Sequence, residues 1–516
     1  MSEIRGLPQK SELANDFSDF FQKLLIVTLF GVFVYSLIYC GKRWKLHYHS
    51  WNVPGPVALP FIGCAYRLFG DPTQKTNSFM EILKSYPDIV KIWLGPKLIY
   101  LISKPEYIEK LFNLPSLIEK DYFYDVLIEV IGDGLVTSKG AKWKSHRKLI
   151  VRSFGQKTLD EFVSIFDEKA SIFIDIMKEY VGREDIPLLR LVSRCHLDSI
   201  CATTMGITMN VQSSMEYLGD LIHRFAELCG KRAFMIRYQF KFIWNHSHDK
   251  KVLEDCAKKT NDFSDSVVKM KLREHEERQQ DKSCDHVAKN ESMVERKSML
   301  DSLIESSEMT DEELKTAVKT VLAGGTDTIA NSSVFILLML GLHPDVQQKV
   351  YEEVVGVLGR EKSVEPEDLL RMEYTERVIK ESLRLFPPVA FISRYVSEDV
   401  AIGNYIAPAG ISLGIPIHYI HRCPSYWKDP MKFDPDRFLP DNVAERHPQS
   451  YMLFSFGIRN CIGWRYAMMN LTTFTARVIR EFKVFTQYKG IEEIEVEMHV
   501  FSKIKNGPKL RLETRT

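Results

Sequence analysis

The sequence predicts a mainly α fold with a small β-sheet region. It is arranged as one large domain (64–516) behind an N-terminal membrane anchor with its flanks (1–45) and a proline-rich hinge (46–63). Three observations carry this reading. Apolar residues recur at helical spacing along most of the chain, strand-like runs are few, and no second linker or internal repeat follows the hinge.

Composition sets the outer bounds. The chain has 516 residues, 45% hydrophobic and 27% charged, an ordinary globular balance that excludes a mostly disordered or collagen-like protein. A net charge of +1 offers nothing for bulk attraction to nucleic acid, and no nucleic-acid partner is expected. The 9 cysteines are scattered, without a CxxC pair. That argues against a disulfide framework or a zinc site and for a reducing compartment.

The first element is the apolar run LLIVTLFGVFVYSLIYC, Leu24 to Cys40, which carries no charge. With Phe20 and Phe21 ahead of it, it approaches the roughly 20 residues that a membrane span needs. Lys42, Arg43 and Lys45 follow closely, and this tight basic cluster places the C-terminal side in the cytosol. A cleaved signal peptide would be shorter and would end in small residues, and a buried core helix would show an amphipathic face. WNVPGPVALPFIG, Trp51 to Gly63, is next. Its prolines at 54, 56 and 60 preclude a helix and favour stiff, extended chain.

Within the domain, IVKIWL and LIYLIS read as early strands and KLRLE as a late one. Arg273 to Lys297, REHEERQQDKSCDHVAKNESMVERK, reads as the end of a helix running into an exposed, charged loop. Thr310 and Glu313 form a capping-box signature that opens a helix ending near Gly341 and Pro344, about 45 Å long. HPDVQQKVYEEVVGVL, with Pro344 near its start, is the next helix. A single domain of this size argues for a bound group that helps to fill its core.

LAGGTDTIA, Leu322 to Ala330, lies in the middle of that long helix. Gly324 and Gly325 weaken a helix interior by roughly 1 kcal/mol each, and they let something approach the backbone. A neighbouring helix or a ligand would each satisfy that. Asp327 and Thr328 favour a ligand, because an acid in an apolar helix needs a partner or a task. Farther on, FSFGIRNCIGWRYAMM places Cys461 in a glycine-rich turn just before a helix. The helix end, the turn's N–H groups and Arg459 would all stabilise a thiolate there. A lone sheltered thiolate suits an axial ligand to haem iron, with a core cysteine or a nucleophile as the alternatives.

Phe454-x-x-Gly457-x-Arg459-x-Cys461-x-Gly463 resembles the haem-binding signature of the cytochrome P-450 family, position for position. ESLR (Glu381 to Arg384) resembles its ExxR pair, FDPDRF its PxRF segment with Arg437, WKSHR its WxxxR motif with Trp143 and Arg147, and GGTDT its oxygen-activating helix motif. The order matches too, over essentially the whole chain. The resemblance implies the cytochrome P-450 fold and a haem b held non-covalently. Cys461 would be the iron's thiolate ligand, and Arg147, Arg459 and Arg394 would pair with the propionates, with the Trp143 indole N–H joining Arg147. Glu381, Arg384 and Arg437 would form a buried network that holds the cysteine loop. Gly324 and Gly325 would make room for haem and oxygen. Thr328 would hydrogen-bond the bound oxygen while Asp327 relays protons.

The implied activity is monooxygenation: one atom of O2 enters a lipophilic small molecule, with electrons from NADPH through a reductase. NADPH-cytochrome P-450 reductase would be the partner, with cytochrome b5 as a further one, and the basic segment KGAKWKSHRK would suit an acidic redox protein. The implied location is the endoplasmic reticulum membrane, with the catalytic domain on the cytosolic side. A reductase-independent haem-thiolate isomerase or lyase, and a non-catalytic haem or ligand binder, are the rival readings. The intact acid–alcohol pair counts against the isomerase. The finer resemblance is to the microsomal family 4 clan, which includes fatty-acid omega-hydroxylases and many insect enzymes. Several of its hydroxylases carry a haem-tethering glutamate where this chain has Gly324, hence the expectation of non-covalent haem. Substrate contacts are expected from Asp121–Gly134, Arg232–Trp244, Pro387–Ile392 and the turn near Phe501, which are rich in aromatic and apolar side chains.

Overall fold

The computed structural model describes residues 43–214, 216–284 and 297–515, together with 19–20, 22–31, 33–34, 38 and 41. The helical periodicity folds as helices. The main ones are α1 (Gly140–Arg152), α2 (Gln156–Lys178), α3 (Leu188–Ile200), α4 (Glu216–Phe234) and α5 (His248–Cys284), followed by α6 (Asp311–Leu342), α7 (Pro344–Leu358), α8 (Glu373–Leu385) and α9 (Trp464–Glu481). The strand-like runs become β1 (Ile89–Leu94) and β2 (Lys97–Ile102), joined by β3 (Ile392–Tyr395) and β4 (Ser412–Ile415) in the order β1-β2-β4-β3. β2 runs parallel to β4, and the other pairs are antiparallel. The late strand β6 (Leu510–Thr514) pairs with β5 (Phe482–Thr486), which follows α9 directly.

α6 organises the helical part. The expected capping box is formed: the Thr310 N–H donates to Glu313 Oε2 (2.9 Å) and the Glu313 N–H to Thr310 Oγ1 (3.3 Å). Such a cap stabilises a helix start by about 1 kcal/mol. By length and composition α6 would cross a membrane, but 78% of its apolar window is buried inside the protein. It is the core helix, packed by α3, α5, α8, α9 and β5. Pro344 opens α7 at its first turn, where its missing N–H costs nothing.

The N-terminal region departs from expectation at two places. Residues 44–50 are helical, Trp51 keeps a helical backbone conformation and 51–53 form a turn, so extended chain begins only at Pro54. The hinge is also pinned rather than free: the Lys91 N–H donates to Pro54 O, the Cys64 N–H to Trp93 O, and Gly63 bridges Leu94. It thereby joins the edge of the sheet. Much of the expected anchor lies outside the described residues. The part described includes an apolar helical stretch, Gln22–Gly31, whose side chains are exposed. The charged stretch after Arg273 stays helical to Cys284, and the loop expected beyond it, 285–296, lies outside the described residues.

Candidate active site

The cysteine loop is built by backbone geometry. The Cys461 N–H donates to Phe454 O (2.9 Å), closing the loop that begins at Met452. Gly457 has φ +72, and a Cβ there would lie 2.9 Å from Phe112 O, so the position excludes a side chain on both counts. Gly463 is the N-cap of α9. Its N–H and Arg147 favour a Cys461 thiolate, but burial opposes them more strongly and pushes the thiol up. The cation acting on Cys461 is therefore Arg147 and not Arg459, as the spacing had implied. The Cys461 side chain borders open internal space although protein encloses it, and iron ligation would remove its proton outright.

Glu381 and Arg384 are fully buried, on adjacent turns of α8. Arg384 donates to both carboxylate oxygens (2.7 and 2.8 Å), Arg437 Nε approaches Glu381 Oε1 at 3.3 Å, and the Asp434 N–H donates to the same oxygen (2.9 Å). Arg384 also donates to His421 O at 2.7 Å. His421 completes a link that no motif signalled: its Nε2 accepts from the Met452 N–H (2.8 Å), at the start of the cysteine loop. That bond requires a neutral ring with its proton on Nδ1. Burial, aided by nearby Arg384, holds His421 down to about 3 and so keeps it neutral. The network does tie α8 to the cysteine loop.

The expected propionate partners divide. Arg147 turns its Nη1 to Asn460 O (2.9 Å) and its Nη2 to Asn460 Oδ1 (2.5 Å), so it braces the residue before Cys461, while its charge still acts on nearby Arg459. The reason is reach: α1 runs beside the loop, and the Asn460 amide matches the guanidinium fork. Arg459 donates to Ser138 O (2.8 Å) and Ile118 O (3.1 Å), and its guanidinium lies 3.9 Å over the Trp143 ring. Trp143 is thus first a platform for Arg459. Arg394, buried on β3, donates to Ser393 O and lies against the Tyr124 hydroxyl, while its Nη2 makes no close hydrogen bond among the described residues. Lys120 lies close to both Arg394 and Arg459. Burial and the like charge of these two drive it well below the ordinary lysine range.

Converging cations with an unpartnered guanidinium nitrogen form a seat for anionic groups. Sequence reasoning named two members and missed Lys120, which sits one residue ahead of a segment it had singled out. Gly324 and Gly463 add a second feature. Both have ordinary backbone conformations, and a Cβ at either would meet nothing within 4 Å, so no protein atom demands a glycine there. Gly324 is exposed in the middle of a helix that is otherwise buried. Bare backbone facing open internal space, a cysteine loop and a cationic seat together fit a flat dianionic macrocycle such as haem. Gly325 does not belong to this set. A Cβ there would lie 2.4 Å from Ile200 Cδ1, so Gly325 lets α6 pack against α3 and makes no room for a ligand.

Thr328 and Asp327 point in different directions, as successive residues of a helix must. The Thr328 hydroxyl donates to Gly324 O (2.6 Å), which leaves its lone pairs as acceptors on the open side. Asp327 is 1% exposed, with Oδ1 unpartnered and Oδ2 at 3.5 Å from His223 Nδ1 on α4. Of the expected substrate-contacting segments, Phe123 and Phe391 meet edge to face at 6.1 Å, and Phe79 joins Phe391 at 6.2 Å. The turn near Phe501 is tied to the same region, since Ser502 donates to Pro387 O and Pro388 O. Arg232–Trp244 splits: Trp244 is buried under Arg232, but Phe240, Phe242 and Ile243 face outward. Two short helices, Ile236–Gln239 and Lys241–Asn245, turn them away from the interior.

Comparison with known proteins agrees with this geometry. A family profile described as Cytochrome P450 matches residues 53–512. Cytochrome P450 4c21 of Blattella germanica is 33% identical over 474 residues, covering 89% of this chain and 92% of the relative. Cytochrome P450 4c3 of Drosophila melanogaster is 30% identical over 480 residues, 90% of each chain. Cytochrome P450 4V2 of Rattus norvegicus is 31% identical over 473 residues, 89% of each.

Proposed function

The chain belongs to the cytochrome P450 family of haem-thiolate monooxygenases, and from that premise we propose that it oxygenates a lipophilic small molecule (a fatty acid, hormone or xenobiotic) at the endoplasmic reticulum membrane, with electrons from NADPH through a reductase. The observation that carries the substrate class is the aromatic cluster of Phe79, Phe123 and Phe391, an apolar wall beside the Ser393–Arg394 strand. Apolar walls with few polar groups select lipophilic ligands.

When bound, haem with a thiolate ligand supplies the splitting of O2, one atom leaving as water and the other entering a C–H or C=C bond. Cys461 would be that ligand, oriented by the Gly463 N–H and steadied by Arg147 through Asn460. Lys120, Arg394 and Arg459 would hold the propionates. Gly324 presents no carboxylate, so the haem stays non-covalent. Thr328, its proton directed at Gly324 O, accepts a hydrogen bond on the open side, and Asp327 would relay protons from the α4 side of the same helix.

Two surface features support the proposed partners. Lys144 and Lys148 are exposed at i,i+4 on α1, a cationic face suited to an acidic redox protein. Cytochrome b5 would use the same face. Trp51, Val57, Phe69, Phe240 and Phe242 are large exposed apolar side chains. Lys75, on the helix that follows Phe69, feels the like charge of Arg237, so this helix lies near the Phe240–Phe242 stretch and the two would meet lipid together. The test has two steps. A carbon monoxide difference spectrum checks the thiolate ligand, and a panel of lipophilic compounds is then screened by haem spectral shift and by product formed with reductase and NADPH. Shifts with apolar compounds, and product only with reductase, are expected. Product without reductase would refute the reading.

A further inference from the structure

Asp327 presents a problem that its backbone cannot solve. Its carboxyl group is 1% exposed, and α6 offers it no donor: the nearby Asn331 amide donates to the Asp327 carbonyl at 2.8 Å, not to the carboxylate. A group that passes a proton inward must be recharged from outside. Beside Asp327 lies a narrow, half-enclosed cleft of about 20 Å³, room for about one water, with His223, Glu227, Asn331, His499, Phe501 and Lys503 on its walls. His223 stands between the carboxylate and solvent. Its Nδ1 is 3.5 Å from Asp327 Oδ2, and its side chain is 34% exposed.

We propose that His223 is the proton-loading residue of the site: it takes protons from water in this cleft and passes them to Asp327. This rests on the monooxygenase reading above. In the step, protonated His223 gives its Nδ1 proton to Asp327 Oδ2, leaving a neutral imidazole and a carboxylic acid. Water in the cleft then reprotonates the ring, and no electrons move. A separation of 3.5 Å is long for a hydrogen bond, and such contacts tighten when a site closes. Histidine is the side chain whose charge changes near neutral pH, so it loads and unloads at little cost.

The surrounding charges leave His223 free for this role. On α4, Glu227 is engaged by Lys231 (2.7 Å) and Arg224 (3.4 Å). On the facing C-terminal turn, His499 is bonded to Glu497 (3.2 Å), and burial lowers its affinity for a proton. Lys503 lies near Glu227 and adds to its stabilisation. From α3, Arg190 pairs with Asp220 (2.9 Å), and Arg194 lies against Gly219, a turn away. Among the described residues, Asp327 is the acid that remains for His223.

The test uses the full-length holoenzyme. His223→Gln keeps a hydrogen-bonding side chain but cannot carry a proton. With the thiolate carbon monoxide band intact, it should lower product per NADPH about tenfold, raise peroxide, and enlarge the D2O effect on turnover. An independent arm needs no turnover: diethylpyrocarbonate labelling of His223 in the resting protein, read by mass spectrometry near pH 6.5. Asp327→Asn should speed that labelling by about threefold or more, because the ring loses the carboxylate that engages its Nδ1 at 3.5 Å. Wild-type coupling and D2O effect in His223→Gln, or equal labelling in Asp327→Asn and wild type, would overturn the proposal. Failure of the monooxygenase reading would look different, since wild type itself would then make no product with reductase.

Discussion

The two adjacent glycines of α6 should behave as opposites. Gly325→Ala adds a methyl group whose ideal position is 2.4 Å from Ile200 Cδ1 and 3.1 Å from Cγ1. Ile200 is 2% exposed at the end of α3, with the turn Cys201–Met205 packed behind it, so it cannot swing into solvent. Overpacking of this kind costs about 1–3 kcal/mol. Alanine returns about 1 kcal/mol of helix propensity, leaving a net loss of up to about 2 kcal/mol. Gly324→Ala meets nothing within 4 Å of protein, so in the fold itself only the propensity gain remains. The variants carry the same chemical change one residue apart, and the expected gap between them is the overpacking term, about 1–3 kcal/mol. Urea unfolding of haem-free and haem-loaded protein measures it. Ile200→Val removes the clashing Cδ1 at an ordinary cost of about 0.5–1.5 kcal/mol. Combined with Gly325→Ala it should recover about 1 kcal/mol relative to the sum of the single changes. If Gly325→Ala is as stable as Gly324→Ala, or if the Ile200 cycle is additive, the packing role of Gly325 is wrong. Gly324→Ala should instead alter the haem spectrum and substrate-induced shifts, which Gly325→Ala should leave unchanged.

Glu381→Ala leaves Arg384 buried without its counter-charge and should cost about 3–5 kcal/mol, with loss of haem on purification. Lys120→Met should keep the thiolate band but speed haem loss to a scavenger by about tenfold or more, the worth of one charge-assisted bond of about 1.5–3 kcal/mol. Glu313 is held down to about 2, first by the Thr310 backbone N–H and then by His146, against an ordinary 4.5. The stabilisation it brings is complete above about pH 4.5 and is lost as pH falls from there through about 2. Acid unfolding of Glu313→Gln should therefore lack that part of the pH dependence and start from a lower stability at neutral pH. Acid–acetone extraction should strip the haem completely, and haem left on the protein would contradict the non-covalent reading of Gly324.

Sequence by itself determined the elements whose causes are local. The capping box at Thr310, Pro344 at the start of α7, the short apolar strand runs of β1 and β2 and the helix after Gly463 all follow from interactions within a few residues, and all are formed. It also determined the identity of the motif residues, because their chemistry is written in side-chain type and order. What it could not supply is direction. Adjacent glycines are identical as letters, yet a helix turns successive residues by about 100°, so one faces open space and the other faces Ile200. The same rotation sends Asp327 toward α4 and Thr328 away from it. The remaining differences come from contacts between distant segments. Lys120 meets Arg394 and Arg459, His421 reaches Met452, and Arg147 turns to Asn460 only because packing brings those stretches together. Long-range contacts leave no periodicity behind, so only the tertiary structure decided which charges share a wall and which residue stands between Asp327 and water.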